Sequence, residues 1–127
     1  MKRTLFPITI SLAVLLTASS GCLYRYQNAN CKKRGAAYNA KAEKLEHDAH
    51  EKLVIGTKKD MVIRFFQENG IPVTFTPGEA SGTIYMAGCA PSGCGSDKVF
   101  LGLQVKVDNA GSVISEPHVG GFYTDCL

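Results

Sequence analysis

The chain has 127 residues, 45% of them hydrophobic and 20% charged, with a formal net charge of +3. That length holds one small domain with a modest core, and the charge is too low and too scattered for a nucleic-acid partner, which would require a clustered basic face. Five cysteines in so short a chain make cysteine chemistry the first question.

At the amino terminus Lys2 and Arg3 precede an apolar run over 5–16, too short to cross a hydrocarbon layer of about 30 Å as a helix. It has the form of a targeting segment. Small residues follow, Thr17, Ala18, Ser19, Ser20 and Gly21, and then Cys22. Gly21-Cys22 resembles the lipobox of bacterial lipoproteins, which implies a signal peptide over 1–21 and a lipid on Cys22. Ordinary cleavage near Ser20 is the alternative, leaving Cys22 as a thiol or a disulfide partner. Loss of Lys2 and Arg3 lowers the net charge from +3 to +1.

Lipidation of Cys22 leaves Cys31, Cys89, Cys94 and Cys126, an even set in an exported chain where disulfides persist. Three pairings are open. Loop closure is cheapest for Cys89 with Cys94 across Ala90-Pro91-Ser92-Gly93, and Cys31 with Cys126 would then join the ends. The four intervening residues are not the two of a redox Cys-x-x-Cys, so the pair reads as structural and the segment between as a candidate binding loop.

Residues 22–30 lack both a helical stripe and strand alternation and read as a tether, with a single folded domain over 31–127. Lys32, Lys33 and Arg34 open that domain as a solvated basic run. Tyr38, Ala42, Leu45, Ala49 and Leu53 then form the stripe of an amphipathic helix over about 33–52. Its opposite face pairs Glu43 with His47 and His47 with Glu51 at a spacing of four. His47 and His50 with Glu43 or Glu46 lack a third strong ligand, so no metal is expected. A second helix over 58–69 is signalled by Thr57 as N-cap, Asp60 in the first turn, and Gly70 then Pro72 as a stop. Met61, Val62, Phe65 and Phe66 make its buried stripe, with Ile55 packing back on the first turn.

Beyond Pro72 the pattern turns to strands, over 73–76, 83–87, 99–107 and 112–116, with the last continuing through 119–123. In the third, Val99, Leu101, Leu103, Val105 and Val107 alternate with Phe100, Gly102, Gln104 and Lys106, which gives one buried and one open face. Asp108-Asn109-Ala110-Gly111 closes a hairpin, with Gly111 free to take positive φ. The fold class expected is α+β, two N-terminal helices packed on a three- to four-stranded antiparallel sheet in two layers.

Gly56-Thr57-Lys58-Lys59-Asp60-Met61-Val62 followed by Gly70-Ile71-Pro72 resembles the helix-capping segment of SmpA/OmlA (BamE)-type outer-membrane lipoproteins. The order of lipidated cysteine, tether, helices and antiparallel sheet is similar too. The resemblance implies a non-enzymatic protein-binding module in envelope assembly or maintenance, anchored by Cys22. Leu23, with no Asp after the cysteine, implies the periplasmic face of the outer membrane rather than the inner. The competing expectation is an inhibitor or immunity protein acting on a periplasmic hydrolase or toxin through the loop at Cys89 to Cys94. A third, thiol-dependent catalysis by Cys94, His118 and Asp125, has the weakest support, and no cofactor motif is present. Gly120-Gly121 and Gly93-x-Gly95 read as close-packing and turn glycines.

Overall fold

The computed structural model describes the backbone of residues 8–126 and the side chains of residues 29–126. Two helices, α1 (Ile8–Lys52) and α2 (Lys59–Glu68), precede four strands, β1 (Thr74–Thr76), β2 (Glu79–Ala87), β3 (Lys98–Lys106) and β4 (His118–Tyr123). The strands form one antiparallel sheet in the order β1-β2-β3-β4. This is the α+β class expected. Residues 1–7 of the expected signal segment, and the side chains of the rest of it and of Cys22, lie outside the described residues. Residues 22–30, expected as an irregular tether, have helical backbone continuous with α1. No glycine or proline interrupts the chain between Gly21 and Gly35, and a polar stretch without breakers continues a helix that packing has already nucleated.

The stripe of α1 packs as its spacing requires. Leu45, Ala49 and Leu53 are buried, and Tyr38 and Ala42 lie partly buried against the same core. From α2 come Val62, Phe65 and Phe66, and from β3 Leu101, Leu103 and Val105. Burial of each large side chain stabilises by about 1.5–3 kcal/mol relative to exposure, which is what holds two helices on one sheet face. Met61, placed in the stripe by sequence, is 47% exposed, and Ile55 is 69% exposed. Val62 and Phe65-Phe66 fill the contact, and Met61 falls on its solvent margin.

The joint between the helices also departs from expectation. Lys58 occupies the N-cap position of α2 and makes no side-chain cap. Thr57 instead sends its hydroxyl back to the Lys52 carbonyl, 3.3 Å away, at the end of α1. Its backbone is committed elsewhere: Val113 N–H donates to the Thr57 carbonyl at 2.9 Å, and Gly56 N–H donates to the Val113 carbonyl at 2.8 Å. The far end of α2 follows the sequence. Gly70 has φ +69°, its N–H reaches Gln67, and the Ile71 N–H reaches the Phe66 carbonyl. That is a Schellman closure with Ile71 and Phe66 meeting in the core.

Two corrections concern the sheet. The second strand begins at Glu79, four residues before the expected start, because Pro77-Gly78 turns the chain back on β1 with Gly78 at φ +86°. The stretch 112–116 is not a strand. Asp108 closes its turn as expected, accepting from Ala110 and Ser112 N–H groups at 2.9 Å each, but Val113 makes only a single bridge to Val107. Pairing resumes at Gln104 with His118, so the register slips by two residues across Ser115–Pro117. Pro117 has no N–H for the ladder, and the chain bulges there before β4 re-enters the sheet.

Candidate functional site

The sheet has one face under the helices and one face open. On the open face the registers align Tyr85 with Phe100 and Phe100 with Phe122. Their ring centroids lie 4.0 and 4.7 Å apart, a cross-strand row that links β2, β3 and β4. Tyr85 is 62% and Phe122 63% exposed. Lys98 Nζ lies 5.2 Å from the Tyr85 ring centre, within cation–π range. Next to the row the face flattens into a trough lined by Thr83, Gly102, Gly120, Gln104 and His118, since glycines at two neighbouring register positions remove the side chains that would fill it.

At the end of the sheet nearest this row the loop between β2 and β3 is fastened on both sides. Cys31 on α1 is bonded to Cys89, and Cys94 to Cys126. The local Cys89–Cys94 pairing and the Cys31–Cys126 closure are therefore not formed. Loop-closure entropy ranks costs in the unfolded chain, but the fold decides which sulfurs meet. Cys89 comes up against Gly35 of α1, while Cys94 bridges the chain after β4. Arg34 completes the fastening, donating from Nε to the Gly88 carbonyl at 3.1 Å and pairing with Asp97 at 2.7 Å. Asp97 also accepts from the Ala90 N–H at 3.0 Å, and the Tyr123 hydroxyl accepts from the Cys89 N–H at 3.2 Å. Ala90, Pro91, Ser92 and Gly93 thus project as a short braced loop, with Gly93 at φ +98°.

Cys94, His118 and Asp125 do not converge. Cys94 is in a disulfide, His118 begins β4 opposite Gln104 at the other end of the strand, and Asp125 uses its carbonyl to accept from Gly95 at 2.8 Å. On α1 the side chains that come together are His47, Asp48 and Glu51 rather than His47 and His50. Lys44 bonds Asp48 and holds its carboxyl below the usual range. Gly121 is a packing glycine as expected, since a Cβ there would overlap the Tyr38 hydroxyl. Burial, reinforced by nearby Tyr123, raises the Tyr38 phenol above its ordinary value.

Sequence reasoning singled out the loop and passed over the aromatic row and the Arg34–Asp97 brace. The signal for the row was present, because Phe100 breaks the polar side of the β3 alternation. A brace between residues 63 positions apart has no local signature. Comparison of the chain with protein-family models, with curated proteins and with solved structures finds no match in any of the three.

Proposed function

We propose that the chain is a lipid-anchored periplasmic module of the bacterial outer membrane that binds a protein partner and performs no catalysis itself. The observation that carries this reading is the open sheet face: three exposed or half-exposed aromatic side chains in one row, beside a flat glycine-floored trough, with no element of the chain covering them among the described residues. Aromatic clusters of this kind are enriched at the centres of protein interfaces. The lipobox at Gly21-Cys22 supplies the anchor, and the resemblance of the 56–62 and 70–72 segments to SmpA/OmlA lipoproteins supplies an envelope-assembly or maintenance role. The inhibitor reading has its own supporting feature in the braced Ala90–Gly93 loop, because a loop already ordered by two disulfides loses less entropy when it enters a partner's cleft.

Mass spectrometry of the mature chain and site-specific crosslinking decide between these. The module reading expects an acylated Cys22 at the new amino terminus and crosslinks from positions 85 and 122 to an outer-membrane assembly protein. Crosslinks from positions 91 and 92 to a hydrolase or toxin support the inhibitor. A native chain that retains Met1 and carries no acyl group overturns both.

A further inference from the structure

The hydrogen-bond phase of β2 leaves part of that strand without a partner. Val107 N–H donates to the Gly78 carbonyl at 3.0 Å and Gly88 N–H to the Asp97 carbonyl at 2.8 Å. In the register Glu79↔Lys106 through Ala87↔Lys98, those two bonds mark the even-numbered residues of β2 as the ones bonded to β3, since bonded pairs alternate along an antiparallel ladder. The odd-numbered residues direct N–H and C=O toward β1. β1 begins at Thr74 opposite Ser81; the chain before it is outside the ladder, its Pro72 carbonyl lying against Gly82, and Pro72 has no N–H to offer Thr83. Thr83, Tyr85 and Ala87 therefore offer three N–H and three C=O groups at the sheet edge, spaced about 7 Å apart, and none of them is bonded to another element among the described residues.

Exposed edges are ordinarily blunted by charge, proline or a bulge. Residues 82–87 read Gly-Thr-Ile-Tyr-Met-Ala, with none of these. At β4, the other edge, α1 stands close enough that Gly121 has no room for a Cβ beside Tyr38.

We infer that the free edge of β2 at Thr83, Tyr85 and Ala87 receives an extended peptide strand that carries a carboxylate, an inference that rests on the protein-binding reading above. The bonding mode is strand addition, in which main-chain hydrogen bonds give affinity and alternate side chains give selectivity. The carboxylate follows from charge. Lys98 is the register partner of Ala87 on the open face and reaches over the Tyr85 ring. Among the described residues it has no acidic partner, whereas Arg34, which lines the same depression, is occupied by Asp97. A residue added opposite Ala87 has its Cα about 10 Å from that of Lys98, two strand spacings away. The Ala87 methyl between them leaves room for a glutamate and the lysine to meet.

A second copy is the poorer occupant. Antiparallel self-pairing about Tyr85 would reverse β2 in the copy, and with it α1, which Cys31–Cys89 and the Gly56–Val113 bond align along the sheet. The two amino-terminal helices would then leave in opposite directions, and two anchored chains could not share one membrane.

The test uses the full chain in detergent micelles and a blocked heptapeptide, Thr-Val-Glu-Val-Thr-Val-Thr, with a lysine-for-glutamate counterpart. Strand addition slows amide exchange at Thr83, Tyr85 and Ala87 at least tenfold. Thr83→Pro removes one outward N–H and weakens binding at least tenfold. Ile84→Pro, by contrast, breaks the ladder to β3 and unfolds the sheet. Lys98→Glu reverses the preference to the lysine peptide, a readout independent of whether the proline variant folds. Protection confined to β4 or the loop overturns the inference, as does unchanged affinity in Thr83→Pro, or protection that rises with protein concentration without peptide. An acylated chain that protects none of these amides removes the edge site and leaves the module reading. A cytosolic, unacylated chain that binds the peptide does the reverse.

Discussion

Gly121 and Tyr38 form a close fit between helix and sheet. A methyl at 121 would enter the space of the Tyr38 hydroxyl and come within 2.7 Å of the Phe100 carbonyl, so Gly121→Ala is expected to cost about 1–3 kcal/mol, the range for overpacking. Tyr38→Phe removes the hydroxyl and should recover part of that loss, leaving the share owed to the Phe100 carbonyl. Chemical denaturation of the two single variants and the double variant measures the coupling. The same phenol sets an alkaline limit. Its folded-state pKa is raised, first by burial and then by Tyr123, so the neutral form is the one the fold favours. The associated stability is fully present below the unfolded phenol value of about 10 and is lost as pH rises through the higher folded value. Tyr38→Phe should flatten the decline in unfolding midpoint over that window, and an unchanged slope would assign it to other groups.

At the scale of elements, what the sequence revealed and what it concealed divide by the range of the forces involved. The stripe of α1, the Gly70 stop and the alternation of β3 are local patterns whose periodicity is the burial pattern, and each is present where expected. Gly70 holds φ +69°, so Gly70→Ala is expected to cost about 1 kcal/mol, read from the thermal midpoint. Thr57 looked like an N-cap because its neighbours are right. Val113, 56 residues away, recruits its carbonyl instead, and Thr57→Ala should accordingly cost less than the ~1 kcal/mol of a true N-cap. Long-range partners also explain the other departures. Ser112 to Glu116 carries an apolar, strand-like residue at Val113, but that side chain belongs to the core and its backbone to the interhelical turn. Of the candidate site, the open face and the 89–94 loop were legible as regions. The row of Tyr85, Phe100 and Phe122 was signalled only by Phe100 on the polar side of β3, because the row itself exists only once two registers, β2–β3 and β3–β4, are fixed.

For the molecule as a whole, the core and the disulfides serve opposite ends. Among the described residues the buried side chains of α1 begin at Leu45, whereas near residues 31–38 the helix is held by Cys31–Cys89, by Arg34 and by the half-buried Tyr38. The two bridges span separations of 58 and 32 residues, each worth about 4 kcal/mol in the chain-entropy model of the unfolded state. A core of this size leaves a small domain marginal without such reinforcement. The effects should nonetheless be local in the native state. Replacing Cys31 and Cys89 by serine is expected to raise hydrogen exchange over residues 31–38 while the amides of Leu45, Ala49 and Leu53 stay protected. Replacing Cys94 and Cys126 should loosen residues 90–97 and leave α1 unchanged. Uniform loss of protection from either replacement would show instead that the domain opens as one cooperative unit, with the bridges acting only through the unfolded chain. The distinction bears on binding, because Arg34, Tyr85 and Lys98 line one depression beside the β2 edge. The Cys31–Cys89 bond holds Arg34 of α1 beside that depression, so cutting it should move the Arg34 side while the β2–β3 ladder remains, and peptide affinity falls without loss of the sheet.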